Sequence, residues 1–518
     1  MLTYNEGRDL LKGERMAKKQ LSFPSAYSVL FIVMILAAAL TFIIPAGKYS
    51  TLSYDADSNE FVVTNPDDTT ESLPATQETL DKLHITAQLE KFTNGTIKKP
   101  MAISGTYVSL PQNGQGIEQL IMAPIEGVYD TVDIVLFIFM IGGAVGLLNY
   151  MGAFNAGIAA LARVSKGHEE IIIAVVTFLI ALGGTTFGMA EETIAFYPIL
   201  IPIFIQSGYD AMVGIAAIYA GSSIGCMFST VNPFSVVIAS NAAGVNFDSG
   251  LVARLIGLII GTIITIAYII RYAKRVQKDP STSIIYADKE RIDKEYGIES
   301  ASQVADAKLS LRFKIVLLLF LATFVIMIIG VSKLDWWFGE MSALFLISAI
   351  IMGIIGDLNE AEISREFING SADLVGVALV CGLARAVNIL LENGQVSDTL
   401  LYTMSGWVKG MNPLFFLIVM MLIFIILGFF INSSSGLAVL SIPIMAPLAD
   451  TIGLPRELVI SAYIYGLGLI GLITPTGLIL ASLQMVNVKY DKWLKWVWPL
   501  MIIWTILGIA MLVFQMLF

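Results

Sequence analysis

The sequence predicts an all-α polytopic membrane protein built from two inverted-topology repeats, each with a re-entrant hairpin and a broken helix. Three observations predict this fold: charge is scarce, the remaining charge is segregated, and the two halves resemble each other at a nearly fixed offset. Of 518 residues, 56% are hydrophobic and only 14% are charged, whereas a soluble protein of this size is about one quarter charged. The deficit is concentrated in apolar runs such as 25–47, 250–270, 313–330 and 498–518. Each is long enough to cross a hydrocarbon core at ~1.5 Å per residue. Repeated spans exclude a single water-soluble core.

Charge placement orients the spans. The net charge is −10, with acids collected in the polar stretch 51–118 (Asp55, Asp57, Glu60, Asp67, Asp68 and Glu71). Bases precede the first span (Lys12, Arg15, Lys18, Lys19) and follow a later one (Arg271, Lys274, Arg275, Lys278). Cationic loops stay cytoplasmic, so the expected N-terminus is inside and 51–118 is an extracytoplasmic insert. The basic runs read as topology signals and carry no nucleic-acid signature. The first apolar run is too long for a signal-peptide core and reads as a retained span. Cys226 and Cys381 lie in apolar segments, so no disulfide framework or thiolate zinc site is expected. His84 and His168 lie in polar loops. These residues supply neither a metal site nor a nucleophile–base pair, so no enzyme and no cofactor is expected.

The internal resemblance then places the elements. Gly127-Val-Tyr-Asp130 leads into an apolar helix as Gly370-Ser-Ala-Asp373 does. The string from Ala144 to Asn149, with Gly152 after it, tracks Ala386 to Leu391 and Gly394. Pro198, Pro202 and Gly208 match Pro443, Pro447 and Gly453. Asn232-Pro233 with Ala239-Ser240 matches Thr474-Pro475 with Ala481-Ser482. A shift of about 240–245 residues under inverted topology is a signature of transporter repeats.

Residues 1–24 read as a cytoplasmic segment and 25–272 as the first repeat. Within that repeat, 169–207 is a hairpin interrupted at 183–193. If it crossed the bilayer, the basic segment after 270 would fall outside; entering and leaving from the cytoplasm keeps it inside. Then 210–240 runs outward and 250–270 inward. Residues 273–312 form a cytoplasmic loop, 313–332 a linking span, and 333–518 the second repeat. There the connector 359–372 precedes a span at 373–392, a hairpin at 412–450 interrupted at 428–436, and spans at 458–485 and 492–516.

Backbone at membrane depth must be hydrogen-bonded internally or line a polar cavity. Segments 183–193, 229–235, 428–436 and 473–477 are rich in Gly, Ser, Thr, Asn and Pro and occupy corresponding places in the two halves. Broken helices there offer N–H groups to anions and carbonyls to cations. Glu191 and Glu192 sit inside an apolar hairpin, where a carboxylate costs at least ~2.5–3.5 kcal/mol, so at least one should face a polar cavity. It can pair with a cationic solute group, carry a proton, ligate Na⁺ or cap the second hairpin arm. Arg385 is the only basic residue inside a predicted span away from its ends. It shares a helix face with Cys381, Asn388 and Glu392, and either binds a solute carboxylate or neutralises an internal acid such as Glu191, Glu192 or Asp373.

The expected solute site is therefore Glu191, Glu192, Thr193, Asn232, Pro233, Arg385, Asn388, Asn432, Ser433, Ser434, Ser435, Thr474, Pro475 and Thr476. A coupling ion, Na⁺ or H⁺, is also expected; Na⁺ ligands would come from Gly184, Thr185, Thr186, Asn232, Ser434 and Thr474. Tyr197 and Tyr219 can add hydroxyls.

The strings Gly188–Pro198, Ser229–Phe234, Gly382–Ala386, Asn432–Gly436 and Leu472–Gly477 resemble the YfcC-type branch of the C4-dicarboxylate anaerobic carrier (DcuC) family, within the ion transporter superfamily. The resemblance runs from about residue 22 to the end. It implies a scaffold, a mobile domain holding both hairpins, an elevator mechanism, a homodimer and a bacterial inner-membrane location. It also implies either dicarboxylates or basic amino acids such as arginine and ornithine. Two adjacent glutamates beside one arginine suit a basic amino acid better than a dicarboxylate. The alternatives are a C4-dicarboxylate transporter and a Na⁺/H⁺ exchanger.

Overall fold

The computed structural model describes residues 24–154, 156–157, 169–295, 310–334 and 336–518. The basic N-terminal stretch, His168 and part of the 273–312 loop lie outside the described residues.

Within the insert, two small antiparallel sheets add strand structure to the expected all-α chain. β1 (Gly47–Lys48) pairs with β6 (Val108–Ser109). The second sheet has the order β4-β3-β2-β5, from β2 (Thr51–Asp55), β3 (Glu60–Thr64), β4 (Thr70–Pro74) and β5 (Met101–Ala102). Leu52, Phe61 and Val63 turn inward from alternate positions, the two-residue period of a half-buried strand. Asn59 closes the β2–β3 hairpin with φ 54°, a conformation asparagine tolerates better than most residues.

All long elements are helical. α1 (Ala26–Leu40) leads into the insert; α2 (Ile117–Asp130) and α3 (Val132–Tyr150) lead out of it. Helix α2 starts at 117, where the polar insert was expected to continue to 118. A hairpin of α4 (Glu169–Phe187) and α5 (Tyr197–Gln206) follows. Next, α6 (Ala211–Met227) breaks and resumes through a π turn at Pro233–Val237 as α7 (Ile238–Ala243), and α8 (Leu251–Lys278) follows. After α9 (Leu311–Lys333) the order recurs: α10 (Phe338–Ile355), α11 (Glu360–Asp373) and α12 (Val375–Asn393). Then come α13 (Ser397–Trp407), the hairpin α14 (Pro413–Phe430) and α15 (Ser434–Asp450), the broken pair α16 (Glu457–Gly471) and α17 (Ile479–Met485), and α18 (Tyr490–Leu517). Among the described residues, eight helices are long and apolar enough to cross a membrane.

Packing follows the same pairing. α2 lies along α12 and α11 along α3, while α1 packs on α12 and α10 on α3. Glycines permit both crossings. A Cβ at Gly127 would overlap the carbonyl oxygen of Gly382, and one at Gly370 would overlap that of Gly142. Small residues that let backbones approach this closely are typical of helix contacts in membranes.

Both hairpins are re-entrant. Glu170, at the start of α4, pairs with Lys274 at 2.9 Å, and Ser207, just after α5, accepts from Gln277 at 3.3 Å. The two ends of the first hairpin thus meet the same end of α8. The open end of the second lies on the opposite face, the one carrying the insert. There α13 packs on both arms, and Arg456 bridges Asp450 to the carbonyl of Ala243, whose neighbour Gly244 abuts Thr86 of the insert.

Candidate functional site

The two hairpin tips meet one cavity of about 1460 Å³. Its wall takes in both tips, both helix breaks and one face of α12. Insert residues 94–99 and the Trp336–Trp337 turn also line it. The tips form because neither can continue as helix. Gly188 takes φ +73°, where only glycine is unstrained, and Ser433 caps α15 by accepting the Gly436 N–H at 3.1 Å.

Each tip is latched to the adjacent helix break. In the first half, Thr185 Oγ1 donates to the Phe228 carbonyl (2.8 Å) and accepts from the Thr230 N–H (3.0 Å). Asn232 accepts from the Phe234 N–H (2.9 Å) and donates weakly to Gly184 (3.5 Å). In the second half the amide is on the hairpin: Asn432 Nδ2 donates to the Thr476 carbonyl at 2.8 Å. Thr476 shares a hydroxyl contact of 2.7 Å with Thr474.

The expected site residues divide accordingly. Glu191, Glu192, Thr193, Asn232, Pro233, Arg385, Asn388, Asn432, Ser433, Ser434, Ser435 and Thr476 line the cavity. Gly184, Thr185, Thr474 and Pro475 stand behind that wall. Thr186 is exposed and returns its hydroxyl to Leu182 of its own helix at 2.6 Å. Just before the candidate residues at the second break, three carbonyls are occupied: Tyr219 donates to Gly471 (2.7 Å), Trp493 to Leu472 (2.8 Å) and Tyr490 to Ile473. Aromatic donors at that depth satisfy the backbone without an ion.

Arg385 neutralises acids, though not the ones anticipated. Its Nε donates to Asp130, and its two terminal nitrogens clasp Glu392 at 3.0 and 3.1 Å. Glu191, Glu192 and Asp373 are not its partners. A bidentate pair plus a third bond fixes both the position and the charge of this guanidinium.

Six carboxylates line the cavity, and their hydrogen bonds distinguish them. Asp130 and Glu392 hold Arg385. Asp133 accepts from Trp337 Nε1 (3.1 Å) and from the Ile134 N–H (2.8 Å). Glu192 accepts the Ala190 N–H at 3.0 Å, and Asp398 the Tyr49 N–H at 2.8 Å. Among the described residues Glu191 alone of these has no hydrogen bond or ion pair to another residue. Asn388 Oδ1, on the α12 face, is buried and also without a partner.

Sequence reasoning missed Asp130, Asp133, Asp398 and Lys99 as cavity residues. Asp130 was recoverable, because it is the repeat counterpart of Asp373. Lys99 left only a faint signal, the Lys98-Lys99 pair within an otherwise acidic insert.

A family model described as "C4-dicarboxylate anaerobic carrier" (DcuC) matches residues 23–517. An uncharacterized protein of Haemophilus influenzae Rd is 46% identical over 498 residues, covering 96% of this chain and 98% of its own. The Escherichia coli K12 protein named "Putative basic amino acid antiporter YfcC" is 28% identical over 497 residues, 93% of this chain and 94% of its own. Two solved transporters are similar at 14% identity. Alcanivorax borkumensis YdaH has a TM-score of 0.36, covering 94% of this chain and 98% of its own. Neisseria gonorrhoeae MtrF has 0.37, covering 97% of each.

Proposed function

The chain belongs to the C4-dicarboxylate anaerobic carrier family and is a multi-pass membrane transporter, and on that footing we propose that it exchanges basic amino acids across the bacterial inner membrane. The observation that carries the substrate class is the unpartnered Glu191. A carboxylate at membrane depth with no internal cation calls for an external one. Asn388 Oδ1, a buried acceptor without a donor, adds to the same demand. A guanidinium or ammonium group meets both.

The opposite demand sits at the second tip. The N–H groups of Ser434 and Ser435 open α15 beside Ser433, and a helix N-terminus favours an anion. An α-carboxylate belongs there. Arg385 is already neutralised by Asp130 and Glu392, so its role in this reading is to hold the α2–α12 wall. Movement of the hairpins past that wall, in an elevator cycle within a homodimer, would carry the solute across. The basic flank of α8 supports an extracytoplasmic insert in this reading.

Counterflow in proteoliposomes tests the assignment. Labelled arginine or ornithine should exchange against the same unlabelled solute, and succinate should not compete. Exchange of succinate without arginine would transfer the protein to the dicarboxylate class. Flux that ignores both and follows pH and Na⁺ gradients would make it a cation exchanger.

A further inference from the structure

The insert does more than cover the cavity, because one of its side chains reaches the second hairpin tip. Lys99 Nζ donates to Ser433 Oγ at 3.0 Å, and Gly436, one turn into α15, lies 3.8 Å from the same nitrogen when given a Cβ. The Lys99 side chain is exposed to the cavity, and the helix start beside it does not favour an ammonium group. The start of α15 carries the positive end of a 17-residue helix. No carboxylate among the described residues lies within ion-pair distance of Lys99. The acids nearest in influence, Glu392 and Asp130, are already bound to Arg385. Partial withdrawal from water and the neighbouring Arg385 both press the Lys99 ammonium below its ordinary range, against the smaller pull of Glu392 and Asp130.

The placement is held by the chain on both sides. Ile97 is buried and its N–H bonds to the Lys91 carbonyl at 2.8 Å. Pro100 restricts the backbone after Lys99. Met101 and Ala102 then pair with β2, and their strand packs against α15. A cation with no acid partner among the described residues and a helix start with open N–H groups, together at one edge of the cavity, describe a socket for a carboxylate.

We propose that Lys99 is a solute ligand contributed by the insert, binding the carboxylate of the transported solute at the start of α15. This rests on the transport reading above but names a residue that the reading does not need. Because Lys99 hangs from the insert, it meets the solute only while the cavity is open to the insert side. Its contribution is therefore one-sided.

The test measures half-saturation for exchange from each face of oriented proteoliposomes, for wild type, K99Q and K99R. K99Q should raise the insert-side half-saturation for arginine about tenfold or more and leave the opposite-face value unchanged, which also shows that the variant is folded. K99R should restore most of the loss. Inhibition from the insert side by decarboxylated arginine, which lacks the carboxylate, should be the same in K99Q and wild type. Equal half-saturation in K99Q and wild type, equal weakening on both faces, or equal loss for the decarboxylated analogue would overturn the proposal. If wild type exchanges succinate and not arginine, the basic-amino-acid reading falls while K99Q must still weaken insert-side succinate. A wild type that exchanges neither overturns both.

Discussion

The first hairpin tip and the second are built on one plan and hold opposite chemistry. Each is a short non-helical turn latched to a broken helix through hydroxyl and amide groups. At the first, a threonine on the hairpin and an asparagine on the break make the latch; at the second, the asparagine is on the hairpin and the threonines are on the break. What differs is what each turn presents to the cavity. The first offers a carboxylate without a partner, the second a capped helix start with open N–H groups. Inverted repeats thus supply equivalent frames, and substitutions at a few positions turn one frame acidic and the other electropositive. The proposed solute, a zwitterion with an extra positive charge, carries the two complementary groups.

Three changes probe that contrast, and a fourth tests a group beneath the insert. The largest effect is expected from E191Q, which should reduce basic-solute exchange by 100-fold or more with an unchanged melting temperature. E192Q should stay within a few-fold of wild type, because an amide oxygen can still accept the Ala190 N–H. If the two variants trade places in the counterflow assay, the acidic role belongs to Glu192. Next is S434P. Proline is well accommodated at a first helical position, where its missing N–H has no helical acceptor, and Ser433 already has the extended ψ of 113° that precedes proline comfortably. It removes one donor from the cavity and should raise half-saturation about tenfold, whereas S434A, which keeps the N–H, should stay within about twofold.

The third change compares the latches. T185V leaves the buried Phe228 carbonyl short of its donor, while the Thr230 N–H keeps the Thr185 carbonyl at 3.1 Å, and should cost about 1–3 kcal/mol of stability. N432A removes one donor from one carbonyl and should cost about 1 kcal/mol. A larger loss of melting temperature in N432A would reverse the order of the two latches. The smallest effect concerns Asp398, beneath the insert. Burial pushes its carboxyl up to about 6, despite the Tyr49 N–H and nearby Lys48. A raised carboxyl favours the folded state once protonated, so its contribution is complete below the unfolded value near 3.8 and fades as pH rises through 6. Thermal stability should therefore gain on the order of 1 kcal/mol between pH 7 and pH 5 from this group, and D398N should remove that part of the slope.

Much of the architecture was legible in the sequence because membrane spans are long and uniform and the charge outside them is sparse. The first hairpin could be read from the basic residues after 270, and the second followed from the repeat. The insert's strands were not legible from the apolar runs, since Leu52, Phe61 and Val63 alternate over only a few residues inside a polar stretch. The site was half legible. Glu191, Asn388 and the serine tip stood out as polar residues where lipid-facing sequence was due. Which glutamate was unpartnered depended on a backbone N–H at Ala190, and the partners of Arg385 depended on how α2 crosses α12. Neither is written in spacing. Lys99 left only a faint signal for a further reason: it lies more than 330 residues from Ser433 and in a segment outside the repeat.

The insert is joined on one flank to the end of α12 and to α13, through Gln395 and Asp398, and on the other to Ser433 and α15. Those contacts combine a few hydrogen bonds with apolar packing: Tyr107 stacks on Tyr402 of α13, and buried Met101 and Ala102 lie against α15. If the hairpins travel, this seam must open in every cycle, so the insert behaves as a brake acting from one side of the membrane. A binding protein raised against its β2–β5 sheet could hold that seam shut. It would slow turnover without entering the cavity or competing with the solute.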